Sequence, residues 1–498
     1  MKIHVRLDDN TLFGNIVSED EDDNVFESYA YRRREVDEMV SKEKIYIVKG
    51  LKGYGKSALM RIAKKELKVK GETVISKNGL DLAPDIDSSN PDQWVNGWKE
   101  NIYIALAEEI GSVANISFSE NTQLLIDIAR ESGRRNLNFL ELMKKNLANL
   151  KLGVKYKDPT GQELSVEASA SKQSSGLPKT AVALGNIINS HLENAKDIFI
   201  FIDDIDHNFI NTPQFKAKIS GLLTACRYIS NHTPQIKFRL TLRPNSWAIL
   251  QKEDPAMTHI RSYIHEIAWT YGEIKNLFAH RILGYLKRNG ASLKEFHHKK
   301  LDALNLVFEQ VRWDGQNEIG VIPIASYAKR RPRWAIEIFK YAALRAKQRN
   351  STTINLADIT YAAENYGDTV LSDLSSEFKC ECNDIEKYMR TFYCSYSTYN
   401  LNDLLTFIKN NIVEHVSSPK PSSREIAHWL FYSGFLFACK EHENGRYTPY
   451  YYDDKPYLLT QTSHEDEQYR WDIELIYRAP LQLKASPAKM ARHKNSDL

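Results

Sequence analysis

The sequence predicts an α/β protein in which a parallel sheet core with a P-loop is followed by a helical lid and a winged helix-turn-helix domain. Short apolar runs alternate with amphipathic helical patterns up to about residue 270, which is typical of a parallel sheet. A glycine-rich segment stands between the first strand and the first long helix. After residue 371, three short helical segments precede two strand-like runs, which is the order of a winged helix.

The composition is that of a globular protein with several domains. The chain has 498 residues, of which 42% are hydrophobic and 26% are charged, and a typical domain of about 150 residues predicts about three domains. It lacks both the roughly 18 consecutive apolar residues of a membrane-spanning helix and an apolar leader. Its five cysteines have no paired C-x-x-C spacing, which argues against a disulfide framework or a zinc site. We therefore expect a cytoplasmic protein without a membrane partner.

Five regions are expected along the chain. They are an N-terminal segment (1–40), a P-loop core (41–270) with an insertion at about 112–195, a helical lid (271–370), a winged-helix domain (371–478) and a basic tail predicted to be disordered (479–498). Within the insertion, a D-P-T-G turn between two alternating runs predicts a β-hairpin.

The glycine-rich segment fits the pattern G-x-x-x-x-G-K-[ST] in the strand-to-helix context that supports a phosphate site. Glycines let backbone N–H groups converge on phosphate oxygens, and the helix N-terminus adds the positive end of its dipole. Lys56 is predicted to neutralise the β- and γ-phosphates of ATP, and the Ser57 hydroxyl is predicted to bind Mg²⁺. The predicted nucleotide-binding residues of this segment are Gly50, Gly53, Tyr54, Gly55, Lys56, Ser57 and Ala58.

Two carboxylates directly follow a second apolar strand. We predict that Asp203 orients the Mg²⁺ shell and that Asp204 polarises the attacking water. Two carboxylates about 4 Å apart repel each other by about 4 kcal/mol at an effective dielectric constant near 20, and a divalent cation offsets this cost. The pair therefore indicates Mg²⁺, with a solvated turn after a core strand as the alternative.

Arg243 stands at the end of the next strand along the chain. Ligands of parallel sheets bind outside the carboxyl ends of the strands. We therefore expect the glycine loop, the two carboxylates and Arg243 to converge on one crevice, where a guanidinium could bind the γ-phosphate with two hydrogen bonds. A surface arginine before a proline turn is the alternative.

On these residues, the chain resembles the AAA-like and STAND/KAP-type P-loop ATPases of bacteria. The D-D-I-D sequence at 203–206 resembles their D-D-L-D strand end, and Arg243 resembles the sensor arginine of STAND ATPases. The lid segment 330–333, Arg-Arg-Pro-Arg, resembles the second sensor region of initiator-type ATPases, where an arginine reaches the nucleotide. The chain departs from the pattern at His207, where KAP proteins carry arginine, and by having Asp rather than Glu at the catalytic position. Slow hydrolysis is therefore expected.

The resemblance implies further arginines at the nucleotide, and the sequence leaves their identity open. Arg331 and Arg333 are candidates for nucleotide binding, together with Arg330, and a solvated first turn of a helix is the alternative. The resemblance also implies an arginine finger from a neighbouring subunit, for which Arg227 is the candidate. A homo-oligomer is therefore an expected partner.

Charge is distributed unevenly between the last two domains. Residues 271–350 contain sixteen Lys and Arg against seven Asp and Glu, a net charge of +9, whereas residues 371–478 contain eleven against seventeen, a net charge of −6. Duplex binding depends on cations that neutralise phosphates. The acidic winged helix therefore favours a protein contact or a nucleotide clamp over DNA reading, and the basic lid is the candidate for nucleic acid or an acidic partner.

Three functions are compatible with these features. The leading hypothesis is an ATP-hydrolysing, oligomeric molecular switch that controls a separately encoded effector protein, a role that similar bacterial ATPases serve in antiphage defence. The first alternative is a DNA-binding ATPase of the replication or transposition initiator type. The second is a scaffold that binds nucleotide without turnover.

Overall fold

The protein is described from a computed structural model. The structure describes residues 5–15, 18–113, 155–157, 163–165, 179–192, 195–207, 209–294, 296–415, 420–442 and 447–485. Residues 486–498 of the predicted tail (479–498) and most of the predicted insertion lie outside these ranges.

The helices of the described residues are, in chain order, α1 (Asp23–Tyr29), α2 (Glu35–Met39), α3 (Lys56–Val69), α4 (Gly79–Leu82), α5 (Pro91–Val113), α6 (Lys179–Leu192), α7 (Pro213–His232), α8 (Pro244–Glu253), α9 (Tyr271–Arg288), α10 (Lys299–Asn305), α11 (Val321–Tyr327), α12 (Pro332–Gln348), α13 (Leu356–Phe378), α14 (Ile385–Arg390), α15 (Leu401–Asn411), α16 (Ser423–Tyr432) and α17 (Leu475–Arg478). Short 3-10 helices are Asn10–Leu12, Ser18–Asp20, Pro255–His259, Arg261–Tyr263, Val413–His415 and Asp466–Gln468.

The strands of the described residues are β1 (Ile45–Lys49), β2 (Thr73–Asn78), β3 (Lys155–Lys157), β4 (Glu163–Ser165), β5 (Ile198–Asp203), β6 (Ile236–Leu242), β7 (Ile264–Glu266), β8 (Gln310–Trp313), β9 (Gln316–Ile319), β10 (Thr398–Tyr399), β11 (Leu436–Glu441), β12 (Tyr447–Tyr450) and β13 (Arg470–Ile473). The antiparallel pair β3–β4 is the hairpin predicted in the insertion.

The chain forms two compact units. The sheet unit consists of Arg33–Gly50 and Leu59–Glu266, and the lid unit consists of Met1–Arg32, Leu51–Ala58 and Ile267–Leu498. Residues 51–57 of the glycine-rich segment, called the phosphate loop below, therefore belong to the lid unit, although they closely follow β1 in the chain. The five domain boundaries that we expect from the sequence stay predictions.

The sheet unit is built on a parallel sheet with the strand order β2-β5-β6-β1-β7. Every residue of β6 is buried, and so are the first five of β5. These strands are continuous apolar runs because a parallel sheet is covered on both faces. The predicted α/β class and its parallel core are confirmed.

Strand connections place the switch point of this sheet at β1 and β6. From β1 the chain crosses to β2 at one edge, whereas from β6 it crosses past β1 to β7 at the other edge. Ligands of open parallel sheets bind outside the carboxyl ends of strands at such a point. The Gly50 N–H still pairs with the Leu242 carbonyl at 3.1 Å, so β1 and β6 stay together up to the start of the loop.

Helices α5, α6 and α7 contribute to the core of the sheet unit, and an aromatic stripe of α5 contacts α7. Trp94 and Trp98 are buried, and the Trp98 Nε1 donates to the Lys218 carbonyl at 2.9 Å. Gly221 permits the close contact between the two helices, because a Cβ there would lie 2.6 Å from that of Trp94. This stripe serves packing rather than ligand binding.

The lid unit contains α9 to α13, against which residues of the N-terminal segment pack. Phe13 is buried and its ring lies 4.9 Å from that of Phe339 on α12, while Arg281 on α9 donates to the Phe13 carbonyl. The lid was expected to be helical throughout, yet β8 and β9 form a hairpin within it. Asp314 and Gly315 form its turn with φ of 48° and 76°, and such a D-G pair in the sequence is a signal for a hairpin.

The last part of the lid unit is a winged helix, as predicted. Helices α14, α15 and α16 precede β11, and the sheet has the antiparallel order β10-β13-β11-β12. Residues 451–469 join β12 to β13 and form a long wing.

Candidate functional site

The phosphate loop has the backbone that its glycines predict. Gly53 and Gly55 have φ of 83° and 84°, a conformation that other L-residues rarely adopt. A Cβ at Gly53 would also lie 2.9 Å from the Cβ of Arg333. Both positions therefore require glycine for conformation, and Gly53 requires it for space as well.

Lys56 begins α3, and its side chain turns back across the loop. Its Nζ donates to the Leu51 carbonyl at 3.2 Å. Ser57 and Ala58 follow in the first turn of a helix of 14 residues. The first N–H groups of a helix lack intrahelical acceptors and favour anions, so this turn is suited to phosphate.

In the sheet unit, the end of β5 carries a network around Asp203. The Thr241 hydroxyl donates to Asp203 Oδ1, and the Asp204 N–H donates to Asp203 Oδ1 at 2.9 Å and to Thr241 Oγ1 at 3.2 Å. Asp204 has φ of 52°, an uncommon conformation that this network holds in place. Asp203 and Asp204 therefore leave the strand in a fixed geometry.

Asp206 is the third carboxylate of the D-D-I-D sequence, and it was not assigned a role from the sequence. It is buried, its Oδ2 accepts the Arg243 N–H at 2.7 Å, and its Oδ1 lies 3.8 Å from Arg243 Nε. Arg243 precedes α8 at the carboxyl end of β6. Asp206 and Thr241 were not predicted as site residues, and the available signals were the third carboxylate of the D-D-I-D sequence and the threonine two positions before Arg243.

Arg227 lies at the other end of the sheet unit. It is half-buried on α7, five residues before the end of that helix at His232. Helix α7 leads from the carboxyl end of β5 to the amino end of β6, and at about 1.5 Å per residue it spans about 30 Å. Arg227 is therefore near the edge opposite Asp203, and its assignment as an arginine finger stays a prediction.

The three candidate arginines of the lid unit lie in different environments. Arg330 lies 5.8 Å above the Tyr271 ring and 5.4 Å above the Tyr451 ring. Arg331 is buried and its Nη1 donates to Glu377 Oε2 at 2.9 Å. Arg333 is half-buried beside the loop.

The lid holds the phosphate loop at three consecutive residues. The Arg333 N–H donates to the Gly53 carbonyl at 3.2 Å, and the Trp269 Nε1 donates to the Tyr54 carbonyl at 2.9 Å. The Lys52 N–H donates to Glu377 Oε1 at 2.9 Å. Burial raises the pKa of the Tyr54 hydroxyl above its ordinary value, so this side chain stays neutral at physiological pH.

The winged helix uses the polar residues of α16 internally. Arg424 donates to Asp466 and to the Gln461 carbonyl, and His428 Nδ1 lies 3.1 Å from the Leu458 carbonyl. The Tyr452 ring lies against the ring of His428 at 5.8 Å. The wing therefore covers the face of α16 on which a DNA reader would carry its contacts.

The basic charge of the lid is only partly on its surface. The side chains of Lys329 and Arg331 are 10% and 3% exposed, and Arg349 forms an ion pair with Asp358 at 2.8 Å. Exposed basic residues cluster around the start of α10 (Lys294, His297, His298, Lys299 and Lys300), and Arg345 and Lys347 on α12 are exposed as well. The basic side chains at the start of segment 329–349 are therefore largely buried, whereas those at its end reach the surface.

The donor set assigned from the sequence fits Mg²⁺ with a nucleotide. A serine hydroxyl and an aspartate carboxylate are hard oxygen ligands, which Mg²⁺ prefers. Among the described residues, no group of three or more His, Cys, Asp and Glu side chains could hold a metal ion. Phosphate oxygens would have to supply most of the other ligands, as is usual for Mg²⁺.

The structure defines an α/β protein with a P-loop, a helical lid and a winged helix. No protein-family model matches the chain, and no curated protein matches its sequence. Within the described ranges, no helix combines the length and apolarity needed to cross a bilayer.

Several solved structures resemble the chain at low levels. Cdc6p from Pyrobaculum aerophilum is 12% identical, with 99% of each chain covered and a TM-score of 0.34. The Aeropyrum pernix ORC1 protein in complex with DNA is 11% identical, with 94% of this chain and 96% of that chain covered and a TM-score of 0.34. The Thermotoga maritima RuvB Holliday junction branch migration motor is 12% identical, with 91% and 96% covered and a TM-score of 0.33. Similarity at this level carries no argument about function, and the fold class rests on the chain's own elements.

Proposed function

We propose that the chain binds ATP with Mg²⁺ and hydrolyses it slowly, as a nucleotide-dependent switch. The observation that carries this proposal is the glycine loop between β1 and α3. It follows a strand at the switch point of a parallel sheet, its Gly53 and Gly55 have positive φ, and Lys56 begins the helix. Each of these features suits a triphosphate.

In this proposal, different residues of the chain bind the phosphates, hold Mg²⁺ and accept a proton. The Lys56 ammonium and the loop N–H groups bind phosphate oxygens, and Ser57 and Asp203 hold Mg²⁺, which neutralises charge on the phosphates. Asp204 accepts a proton from the attacking water. Arg243, fixed by Asp206, and Arg333, beside Gly53, would respond to the γ-phosphate.

We propose that the lid unit is the part of the protein that shifts in response to nucleotide. Bonds from Glu377, Arg333 and Trp269 to the loop support this, since a loop that adjusts to phosphate would shift its own hydrogen-bond partners. An oligomer, a separately encoded effector protein, a cytoplasmic location and a role in antiphage defence are part of the proposal through the stated resemblance alone.

The test is nucleotide binding and phosphate release by the purified chain. Lys56→Ala should lose at least about tenfold in ATP affinity, because a hydrogen bond to a charged group contributes about 1.5–3 kcal/mol. Lys68→Ala, which removes an exposed lysine from the same helix, is the matched control. Asp204→Ala should retain ATP binding and lose phosphate release. Unchanged ATP affinity in Lys56→Ala would contradict the proposal.

A DNA-binding ATPase is the second candidate, and the exposed basic residues around the start of α10 favour it. In that case, Lys299 and Lys300 are candidates for the phosphate contacts, together with the exposed Arg345 and Lys347 of α12. A steep salt dependence of duplex binding, reduced by Lys299→Gln and Lys300→Gln, would support this function. A scaffold without turnover would show ATP binding and no phosphate release.

A further inference from the structure

One buried carboxylate holds the phosphate loop and a lid arginine at the same time. Glu377 is the residue before the last of α13, and its side chain is 4% exposed. Its Oε1 accepts the Lys52 N–H at 2.9 Å, and its Oε2 accepts from Arg331 Nη1 at 2.9 Å. One side chain therefore joins the loop to the start of α12.

A carboxylate next to a phosphate-binding loop needs compensation, because like charges repel strongly where water is excluded. Arg331 supplies it. Its guanidinium carbon lies 4.2 Å from the Trp334 ring and 5.5 Å from the Tyr54 ring, so both members of the pair are enclosed. As a neutral pair, they let Glu377 anchor the loop without weakening phosphate binding.

The other two hydrogen bonds from the lid to the loop use neutral groups on both sides. These are the bonds from the Arg333 N–H to Gly53 and from the Trp269 indole to Tyr54. The Glu377 contact includes a formal charge and is therefore the most sensitive of the three to a nearby phosphate.

We propose that Glu377 is a positioning residue of the nucleotide site, which fixes the loop through Lys52 and couples it through Arg331 to α12 and α13. This inference rests on the proposed nucleotide function. Helix α13 ends at Phe378, and the next helix along the chain is the first of the winged helix. A shift of Glu377 on nucleotide binding therefore passes directly into the chain that leads to this domain.

The first test compares the MgATP affinity after neutralising either member of the Arg331–Glu377 pair. Arg331→Gln leaves an uncompensated carboxylate and should weaken MgATP binding about tenfold, whereas Glu377→Gln leaves an uncompensated cation and should not weaken it. The double variant should return toward the wild-type affinity. Affinity is measured calorimetrically on the full chain. Arg345→Gln and Glu364→Gln, exposed residues of α12 and α13, are the matched controls.

The second test needs no nucleotide and therefore separates this inference from the proposed function. Hydrogen exchange of the Lys52 amide in the nucleotide-free chain should accelerate in Glu377→Ala and stay slow in Glu377→Gln, which retains an acceptor. Exchange equal to wild type in Glu377→Ala would overturn the anchor. Equal losses of affinity in both single variants and in the double variant would overturn the coupling and indicate a merely structural pair. If the wild type binds no nucleotide, the proposed function and the coupling both fail, while the exchange result still decides the anchor.

Discussion

The phosphate loop and helix α16 are two segments of the lid unit that a sequence pattern associates with ligands, and they use their polar groups in opposite ways. The loop is held mainly through its carbonyls, at Gly53 and Tyr54, and through one N–H, at Lys52. In helix α16, the polar side chains of Arg424 and His428 both contact the wing.

The difference teaches that a ligand-binding pattern depends on which groups the rest of the fold already uses. Two of the three groups that hold the loop are carbonyls, which phosphate does not need, since phosphate oxygens accept hydrogen bonds from N–H donors. In α16, the side chains themselves are engaged, so reading a duplex would first require displacement of the wing. The acidic charge of the domain adds to this barrier.

The largest expected effect concerns Arg424. Its partner Asp466 is 1% exposed, and removal of one member of a buried ion pair costs about 3–5 kcal/mol. Arg424→Ala should therefore lower the free energy of unfolding by this amount in a denaturant titration. Arg390→Ala, which breaks an exposed ion pair, should cost at most about 1 kcal/mol. A variant with intact stability and weaker DNA binding would show instead that α16 reads DNA.

A second prediction concerns the Asp203 network in the sheet unit. Thr241→Val removes the hydroxyl that donates to Asp203 and that accepts the Asp204 N–H. The loss of such buried hydrogen bonds costs about 1–3 kcal/mol of stability. We expect slower phosphate release with nearly unchanged ATP affinity, because the change lies at the carboxylates and not at the loop. Thr241→Ser is the control that keeps the hydroxyl, and equal rates in Thr241→Val and wild type would contradict the role of Thr241.

A third prediction concerns the pH dependence of stability that arises from Lys329, whose side chain lies inside the lid unit. Burial lowers the pKa of Lys329 to about 8, although the charge of Glu474 opposes the shift. The unfolded chain then binds more protons than the folded chain between pH 8 and the ordinary lysine pKa of about 10.4.

Stability should therefore rise with pH in this window, and the contribution of Lys329 from pH 8 to pH 10 should be about 2 kcal/mol. It is measured as the difference between wild type and Lys329→Met, which cancels the titration of other groups. The same pH profile in both proteins would contradict the low pKa of Lys329.

The smallest expected effect concerns the exposed basic residues. Lys299→Gln with Lys300→Gln should change the free energy of unfolding by no more than about 0.5 kcal/mol, because both side chains are exposed. If the lid binds DNA, the slope of log affinity against log salt should become shallower by about 0.9 per lost phosphate contact. An unchanged slope would remove these residues as DNA contacts.

Local patterns were sufficient to predict much of this protein. The strand, glycine loop and helix at 45–69 are contiguous in sequence, so their order alone indicates the phosphate site. The carboxylates Asp203 and Asp204 are predicted for the same reason, because they directly follow a contiguous apolar strand. The parallel sheet and the winged helix followed from the order of apolar runs, and the structure confirms both.

Groups that act through distant partners were not predictable. Glu377 resembles an ordinary acidic residue near a helix end, and its partner Lys52 is 325 positions away. The cover over α16 depends on Asp466 and Leu458, which lie in a wing without a periodic pattern. The net charge of the lid was also a poor guide to the charge on its surface. The value of +9 counts Lys329 and Arg331, whose side chains are only 10% and 3% exposed.

The most direct test of the central claim is isothermal titration of the purified full chain with ATP in the presence of Mg²⁺. The account predicts saturable heat with one nucleotide per chain in the wild type and in Lys68→Ala, and its loss in Lys56→Ala. Absence of heat with ATP and with GTP in the wild type, or the same heat in wild type and Lys56→Ala, would contradict it.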